Sequence, residues 1–269
     1  MYNLRSCCEV KMEIQSSLTA YKSLLESYGI SGNLLGVFIS LLVVVVTAVL
    51  WKLFFGGKAQ RTGVLLAGLS DSGKTILFTQ LISGVVKETH TSLKENEAQY
   101  IVEPNQGKTL TVVDLPGHEA IRLQYLEKYK DNARGIVFVV DSGSFQKNVK
   151  DVAEFLFQIF TDKQLNKIAP SICIACNKQD LFNSKTKTVI LNQLEKELNT
   201  VRKTQSAALS STSGGGEDSV FLGRKEEDFQ FSHLSKFKIE FLECNAKPGL
   251  EESANVNLEE LKMWISSLI

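Results

Sequence analysis

The sequence predicts an α/β protein: a doubly wound domain whose mainly parallel sheet carries helices on both faces, preceded by a single membrane-spanning helix. Three observations predict it. From Arg61 onward apolar runs alternate with helix-length stretches, a glycine-rich loop follows the first of those runs, and a long uncharged apolar segment precedes it.

Residues 1 to 30 read as a short tail, lumenal once the orientation below is applied. Within it Ile14, Leu18, Tyr21, Leu25 and Tyr28 recur every three or four residues, with Lys22 and Glu26 off that row. This suits one face of a helix at an interface or on a partner. A solvated tail accommodates it as well. The span is placed over residues 31 to 55, around LLGVFISLLVVVVTAVLW from Leu34 to Trp51, with no charge between Ser27 and Trp51. A helix of about 20 such residues crosses a hydrocarbon core of about 30 Å. The bulky residues after it do not resemble a signal-peptide cleavage site. Lys52, Lys58 and Arg61 follow the span, whereas Lys22 precedes it in company with Glu26. Positive flanks stay cytosolic, which places everything beyond the linker at 56 to 61 in the cytosol, and Trp51, Phe54 and Phe55 at the interface.

The domain itself is assigned to residues 62 to 269. Its strands are TGVLLAG at 62 to 68, AQYIVE at 98 to 103, TLTVVDL at 109 to 115, GIVFVVD at 135 to 141, SICIACN at 171 to 177 and IEFLEC at 239 to 244. Helices fill the intervals: one from about Gly73 to Val85, one holding Leu123, Leu126 and Tyr129, and one holding Val149, Val152, Phe155, Leu156 and Ile159. Further helices hold Val189, Leu194 and Leu198, and end the chain at LKMWISSLI. Strands this rich in Val and Ile suit a parallel sheet covered on both faces, with ligands at the carboxyl ends of the strands. TQSAALSSTSGGGEDS, 204 to 219, has low complexity and almost no large apolar residue, so a disordered insertion is expected at about 204 to 230.

Composition removes several classes. Thirty basic residues balance thirty acidic ones, which argues against direct nucleic-acid binding. Five cysteines in 269 residues are too few for a disulfide framework. Cys173-x-x-Cys176 lies within an apolar run and reads as core strand in preference to a metal or redox site. Cys7 and Cys8 are open to acylation or bridging.

Four short motifs carry the chemistry, each at the carboxyl end of a predicted strand. GLSDSGKT comprises Gly68, Leu69, Ser70, Asp71, Ser72, Gly73, Lys74 and Thr75, and it follows a strand and opens a helix. That is the setting of a phosphate-binding loop: backbone N–H groups face phosphates, Lys74 meets the terminal ones, and the Thr75 hydroxyl ligates Mg²⁺. In DLPGH, Asp114 is placed to hold Mg²⁺ through water and Gly117 to meet a γ-phosphate, although Asp, Pro and Gly also make ordinary turns. In NKQD, Asp180 can accept two hydrogen bonds from guanine that adenine cannot supply, with Asn177 and Lys178 flanking the ring. In ECNAK the Ala246 N–H is placed to meet the guanine oxygen, with Lys247 beside it.

Together these motifs resemble the Ras-type small GTPases, and GLSDSGKT with DLPGH is most similar to the Arf and Sar branch. The added span, DLPGHEAIRLQYLEKYK, ARGIVFVVDS and VKDVAEFL resemble the beta-subunit family of signal recognition particle receptors, over roughly residues 34 to 269. The resemblance implies GTP or GDP with Mg²⁺ as ligands and a membrane-anchored switch of the endoplasmic reticulum. Its GTP form would recruit the receptor alpha subunit and, through it, the signal recognition particle, ribosome and translocon.

The resemblance also places the first switch threonine in THTS, at Thr91 or Thr89, with Ser92 adjacent and Thr91 joining Thr75 and Asp114 on Mg²⁺. His118 stands where most members carry the glutamine that orients the attacking water; it serves in that role or marks slow, partner-dependent hydrolysis. Ser70 replaces a frequent glycine and would hinder an inserted arginine finger, and Asp71 brings a carboxylate close to phosphates. Two other readings share these motifs: an Arf- or Sar-type vesicle-trafficking GTPase, against which Tyr2 and the permanent span argue, and a constitutively GTP-bound structural anchor.

Overall fold

The computed structural model describes residues 15–16, 19–20, 23, 32–55, 61–84, 94–102, 108–211, 221–224, 226–247 and 256–269. The expected helical face around Ile14 to Tyr28, the Cys7–Cys8 pair, the linker at 56 to 60 and the threonines of THTS lie outside those residues. The chain divides into two units, Met1–Gln60 and Arg61–Ile269.

In the first unit, helix α1 spans Gly32–Phe55. Its side chains are described from 36 to 51, and the large apolar ones are exposed throughout, from 44% at Leu50 to 68% at Trp51. Among the residues whose side chains are described, which within α1 are only 36 to 51, no helix is long and apolar enough to cross a membrane.

In the second unit, β1 (Gly63–Ala67), β2 (Asn96–Ile101), β3 (Thr109–Asp114), β4 (Ala133–Asp141), β5 (Ser171–Asn177) and β6 (Ile239–Glu243) form one sheet, ordered β2-β3-β1-β4-β5-β6. Only β2 runs antiparallel, opposite β3; the other neighbours are parallel. The helices are α2 (Lys74–Ser83), α3 (Glu119–Tyr129), α4 (Phe145–Thr161), α5 (Lys163–Ile168), α6 (Lys187–Ser211) and α7 (Glu259–Ser266). Alternate residues of the central strands feed two cores. Leu65, Ile136, Phe138, Ile174 and Cys176 meet Leu126 of α3, Phe155 and Ile159 of α4 and Leu194 and Leu198 of α6. Val64, Val137, Val139 and Cys173 meet Leu77 of α2 and Leu261, Trp264 and Ile265 of α7. The two cysteines of the C-x-x-C therefore face opposite cores, as an odd spacing on a strand requires. Burial pushes both thiols up, and among the described residues no group of three or more His, Cys, Asp or Glu could hold a metal ion.

Two stretches differ from the sequence reading. Residues 204 to 211, expected to be disordered, continue α6 to Ser211; Gln205, Ala207, Ala208 and Leu209 are adequate helix formers, and low complexity hid it. Residues 221 to 224 and 226 to 230, also placed in the insertion, pack on the domain: Leu222 and Phe229 are buried. Phe229, Phe231 and Phe160 form edge-on pairs with centroids 5.4 and 6.1 Å apart. The buried Arg202 guanidinium holds this return, donating to the carbonyls of Leu222 (3.2 Å), Arg224 (2.8 Å) and Glu227.

Candidate nucleotide site

The carboxyl ends of β1, β3, β5 and β6 bring four of the sequence motifs together. GLSDSGKT leaves β1 and enters α2 through Gly73, at φ 91°, where a Cβ would lie 2.4 Å from Asn177 Nδ2. Only glycine meets both demands. Asn177, 2% exposed, ties three motifs: its Nδ2 donates to the Ser72 carbonyl at 2.9 Å, and its Oδ1 accepts from the Ala246 N–H at 3.2 Å. The Ala246 N–H expected to meet the base is thus engaged with Asn177, and Asn177 acts as the buttress joining phosphate loop to base loop.

Lys74 is buried at 6% exposure, its Nζ donating to the Leu69 carbonyl at 2.6 Å. Burial lowers its pKa to about 8, against the pull of Asp114 and Asp71. A protonated Lys74 regains a strong partner whenever an anion enters the loop. Ser70 and Asp71 are exposed, and Asp71 holds φ 60°, which gives its carboxylate access to solvent. Ser72 is buried and bonds the Leu69 carbonyl at 2.9 Å.

Asp114 is fully buried. Its Oδ2 accepts from Thr75 Oγ1 at 2.8 Å and from Asn96 Nδ2 at 3.2 Å, while Oδ1 has no hydrogen-bond partner among the described residues. Burial raises its pKa, and the Thr75 and Asn96 bonds and the Lys74 charge oppose the rise. A hydroxyl beside a carboxylate with one buried oxygen left over is a donor set suited to Mg²⁺ and its waters. These residues fit the ion. Gly117 sits so close that a Cβ would lie 2.6 Å from both Lys74 Nζ and Ser70 N. His118, exposed, is the N-cap of α3, its Nδ1 accepting from the Ala120 N–H at 3.3 Å. The imidazole therefore has a structural duty beside the one expected of it.

Lys178 lies at φ 64°, its Nζ 2.7 Å from Asp141 Oδ2. Burial pushes the Asp141 carboxyl up, but Lys178 and the Ser144 N–H outweigh it and leave it below the ordinary value. Asp141 Oδ1 also accepts from Gly143 N at 2.9 Å. Gln179 braces the loop through Ser142 Oγ at 2.9 Å, and Asp180 stands half-buried before the exposed Leu181 and Phe182. Lys247 is exposed, its N–H bonded to Asn245 Oδ1 at 3.3 Å. Sequence reasoning missed Asn96, Asp141, Ser142 and Gln179. Asp141 and Ser142 had a signal, a polar pair ending a buried strand; Asn96 had none, because its role depends on cross-strand register.

Thr89, Thr91 and Ser92 lie outside the described residues, so the structure brings together the phosphate loop, Asp114, Gly117, Asn177, Lys178, Asp180 and Ala246. A mainly parallel sheet with a phosphate loop after β1, an acidic strand end on β3 and an Asn-Lys-x-Asp loop after β5 defines the small-GTPase class of phosphate-loop proteins. Residues 59–237 match the family model described as signal recognition particle receptor beta subunit. A human signal recognition particle receptor subunit beta is 47% identical over 236 residues, covering 88% of this chain and 87% of that protein. The subunit from Dictyostelium discoideum is 31% identical, covering 78% and 72%. The chain belongs to the signal recognition particle receptor beta-subunit family. Among solved structures, the mammalian SRP receptor superposes with a TM-score of 0.65 at 44% identity, over 77% of this chain and 100% of that one. The SRb-GTP/SRX complex of Chaetomium thermophilum superposes at 0.60 with 21% identity, over 77% and 100%, and shares the fold.

Proposed function

We propose that this protein is a GTP-dependent switch of the endoplasmic reticulum membrane that, with GTP bound, recruits the receptor alpha subunit for co-translational targeting. The observation that carries this reading is the tie through Asn177, which joins the phosphate loop to the base loop beside Asp180. The related Chaetomium proteins were solved as SRb-GTP with SRX and as SRb-GDP-Mg. Here Lys74 and the loop N–H groups would hold the phosphates, and Thr75 and Asp114, with Thr91 or Thr89, would hold Mg²⁺. When bound, that ion would offset phosphate charge. Asp180 would select guanine, with Asn177 and Lys178 fixing its loop. Gly117, packed against Lys74, would report the terminal phosphate to α3, whose first turn His118 caps. A segment that changes order with the terminal phosphate makes a surface only one nucleotide state presents.

The proposed anchor is α1. Its 24 residues, at about 1.5 Å each, reach roughly 36 Å against about 30 Å of hydrocarbon, and its exposed apolar side chains gain nothing from water. The basic flank after Trp51 supports a single-pass topology with the domain cytosolic. Release of the full chain from membranes by alkaline extraction would remove this part of the reading.

The nucleotide test uses the full chain in lipid nanodiscs. GTP and GDP should bind at least about a hundredfold more tightly than ATP, as expected where a site built to hydrogen-bond one base rejects another that lacks the matching groups. Asp180→Asn should shift the preference toward xanthosine nucleotides. Equal affinity for ATP would sink the proposal. For the switch, alpha subunit from cytosol should be retained by protein loaded with a non-hydrolysable GTP analogue and not by the GDP form; equal retention would leave an anchor without a switch.

A further inference from the structure

Asp114 is the carboxylate on which the metal part of the site turns, and the side chains that orient it come from two elements. Thr75, at the start of α2, sits within the phosphate loop. Asn96 is the first residue of β2 and lies directly opposite Asp114 in the antiparallel β2–β3 ladder. Directly opposed residues have Cβ atoms about 4.5–5.5 Å apart and project on the same face. A short side chain at this position therefore spans the gap, and the Asn96 amide does so with 3.2 Å between Nδ2 and Oδ2.

Both donors converge on one oxygen of a fully buried carboxylate and leave the other without a partner among the described residues. An unpartnered buried oxygen costs free energy unless something else approaches it, so the pair of bonds fixes which oxygen remains for an incoming donor. Asn96 is itself held in place. Its neighbour Glu95 bonds Lys128 Nζ at 2.5 Å and the Tyr129 hydroxyl at 3.2 Å, both at the end of α3.

We infer that Asn96 is a positioning residue for Mg²⁺: it orients the Asp114 carboxylate from the first position of β2 and so sets how strongly metal retains nucleotide. The inference rests on the guanine-nucleotide reading above and goes beyond it. Groups that orient a metal ligand typically change metal affinity by about 10- to 100-fold when removed.

The test follows release of a fluorescent GDP from the full chain in nanodiscs across a Mg²⁺ series and in excess EDTA. Asn96→Leu keeps the branched side-chain skeleton and removes the donor. It should raise the Mg²⁺ concentration that half-maximally slows release by about tenfold, with the rate in EDTA unchanged. Asn96→Ser restores a short donor and should recover part of the shift. A purely structural role would speed release equally with and without Mg²⁺. That outcome, or an unchanged Mg²⁺ midpoint, overturns the inference while leaving guanine binding intact. If the parent protein retains no guanine nucleotide in Mg²⁺, the proposed function fails and this inference fails with it.

Discussion

Two valine-rich runs in this chain have nearly the same chemistry and opposite surroundings. In α1, Val43, Val44, Val45 and Val46 are 52, 64, 53 and 46% exposed. In β4, Val137, Phe138, Val139 and Val140 are at most 1% exposed. The helix offers its apolar side chains outward on every side; the strand alternates its own between two cores that protein supplies. Apolar composition thus records a demand for a non-aqueous environment, and the surroundings decide whether packing or another medium meets it.

Breaking that contrast on the protein side gives the largest expected effect. Val137→Asp places a carboxylate among Val64, Leu77 and Trp264 of its core, at a cost of more than about 4 kcal/mol, most of the stability of a domain near the low end of the about 5–15 kcal/mol range. Thermal unfolding and loss of soluble expression are the measurements. On the other side, Val44→Asp should leave the unfolding of the domain unchanged and reduce membrane retention, with a penalty of about 2.5–3.5 kcal/mol for an acidic residue near the centre of a span. Retention equal to the parent would count against α1 as anchor.

A buried charge lies between these extremes. Arg202, 4% exposed, donates to three carbonyls of the segment that returns after α6. Arg202→Leu removes the charge but strands those carbonyls, which should destabilise the domain by about 2 kcal/mol. Faster hydrogen exchange at residues 222 to 231, with β4 and β5 still protected, would locate the loss; uniform exchange would not fit a clamp.

The same contrast explains what the sequence disclosed. β4 and β5 were legible because strands buried on both faces need unbroken apolar runs, and each ends at a motif whose chemistry lies in its residue types. β2 was legible as a strand but not as the antiparallel one, since its edge position, paired with β3 alone, depends on the rest of the sheet. Phe231 and Phe237 carry no period that points to Phe160, 71 and 77 residues back. Their packing exists only once α4 and α6 are in place. At the site, Lys74, Asp114 and Asp180 belong to local patterns. Asn96 and the buttress role of Asn177 depend on which strand ends meet, which no short motif encodes, whereas Asp141 ends a buried strand and was open to notice there.

The smallest expected effect lies at the surface, where water competes with every contact. Glu95 is bonded to Lys128, whose side chain is 57% exposed, and to the Tyr129 hydroxyl. Chiefly through the Lys128 bond, the Glu95 carboxyl is lowered from 4.5 to about 2. A carboxyl depressed in the folded state binds its proton more readily when unfolded, so the pair contributes fully above pH about 4.5 and loses its contribution as pH falls toward 2. Lys128→Met removes the partner. The stability difference between parent and variant should be small and constant above pH 5, since exposed pairs contribute little, and should vanish near pH 2. High salt should shrink it, as screening weakens exposed pairs. A difference that persists at pH 2 would mean that Lys128 acts through its packing on the Tyr129 ring, 4.9 Å from the centroid, and that the surface position is less dominated by water than the contrast with β4 requires.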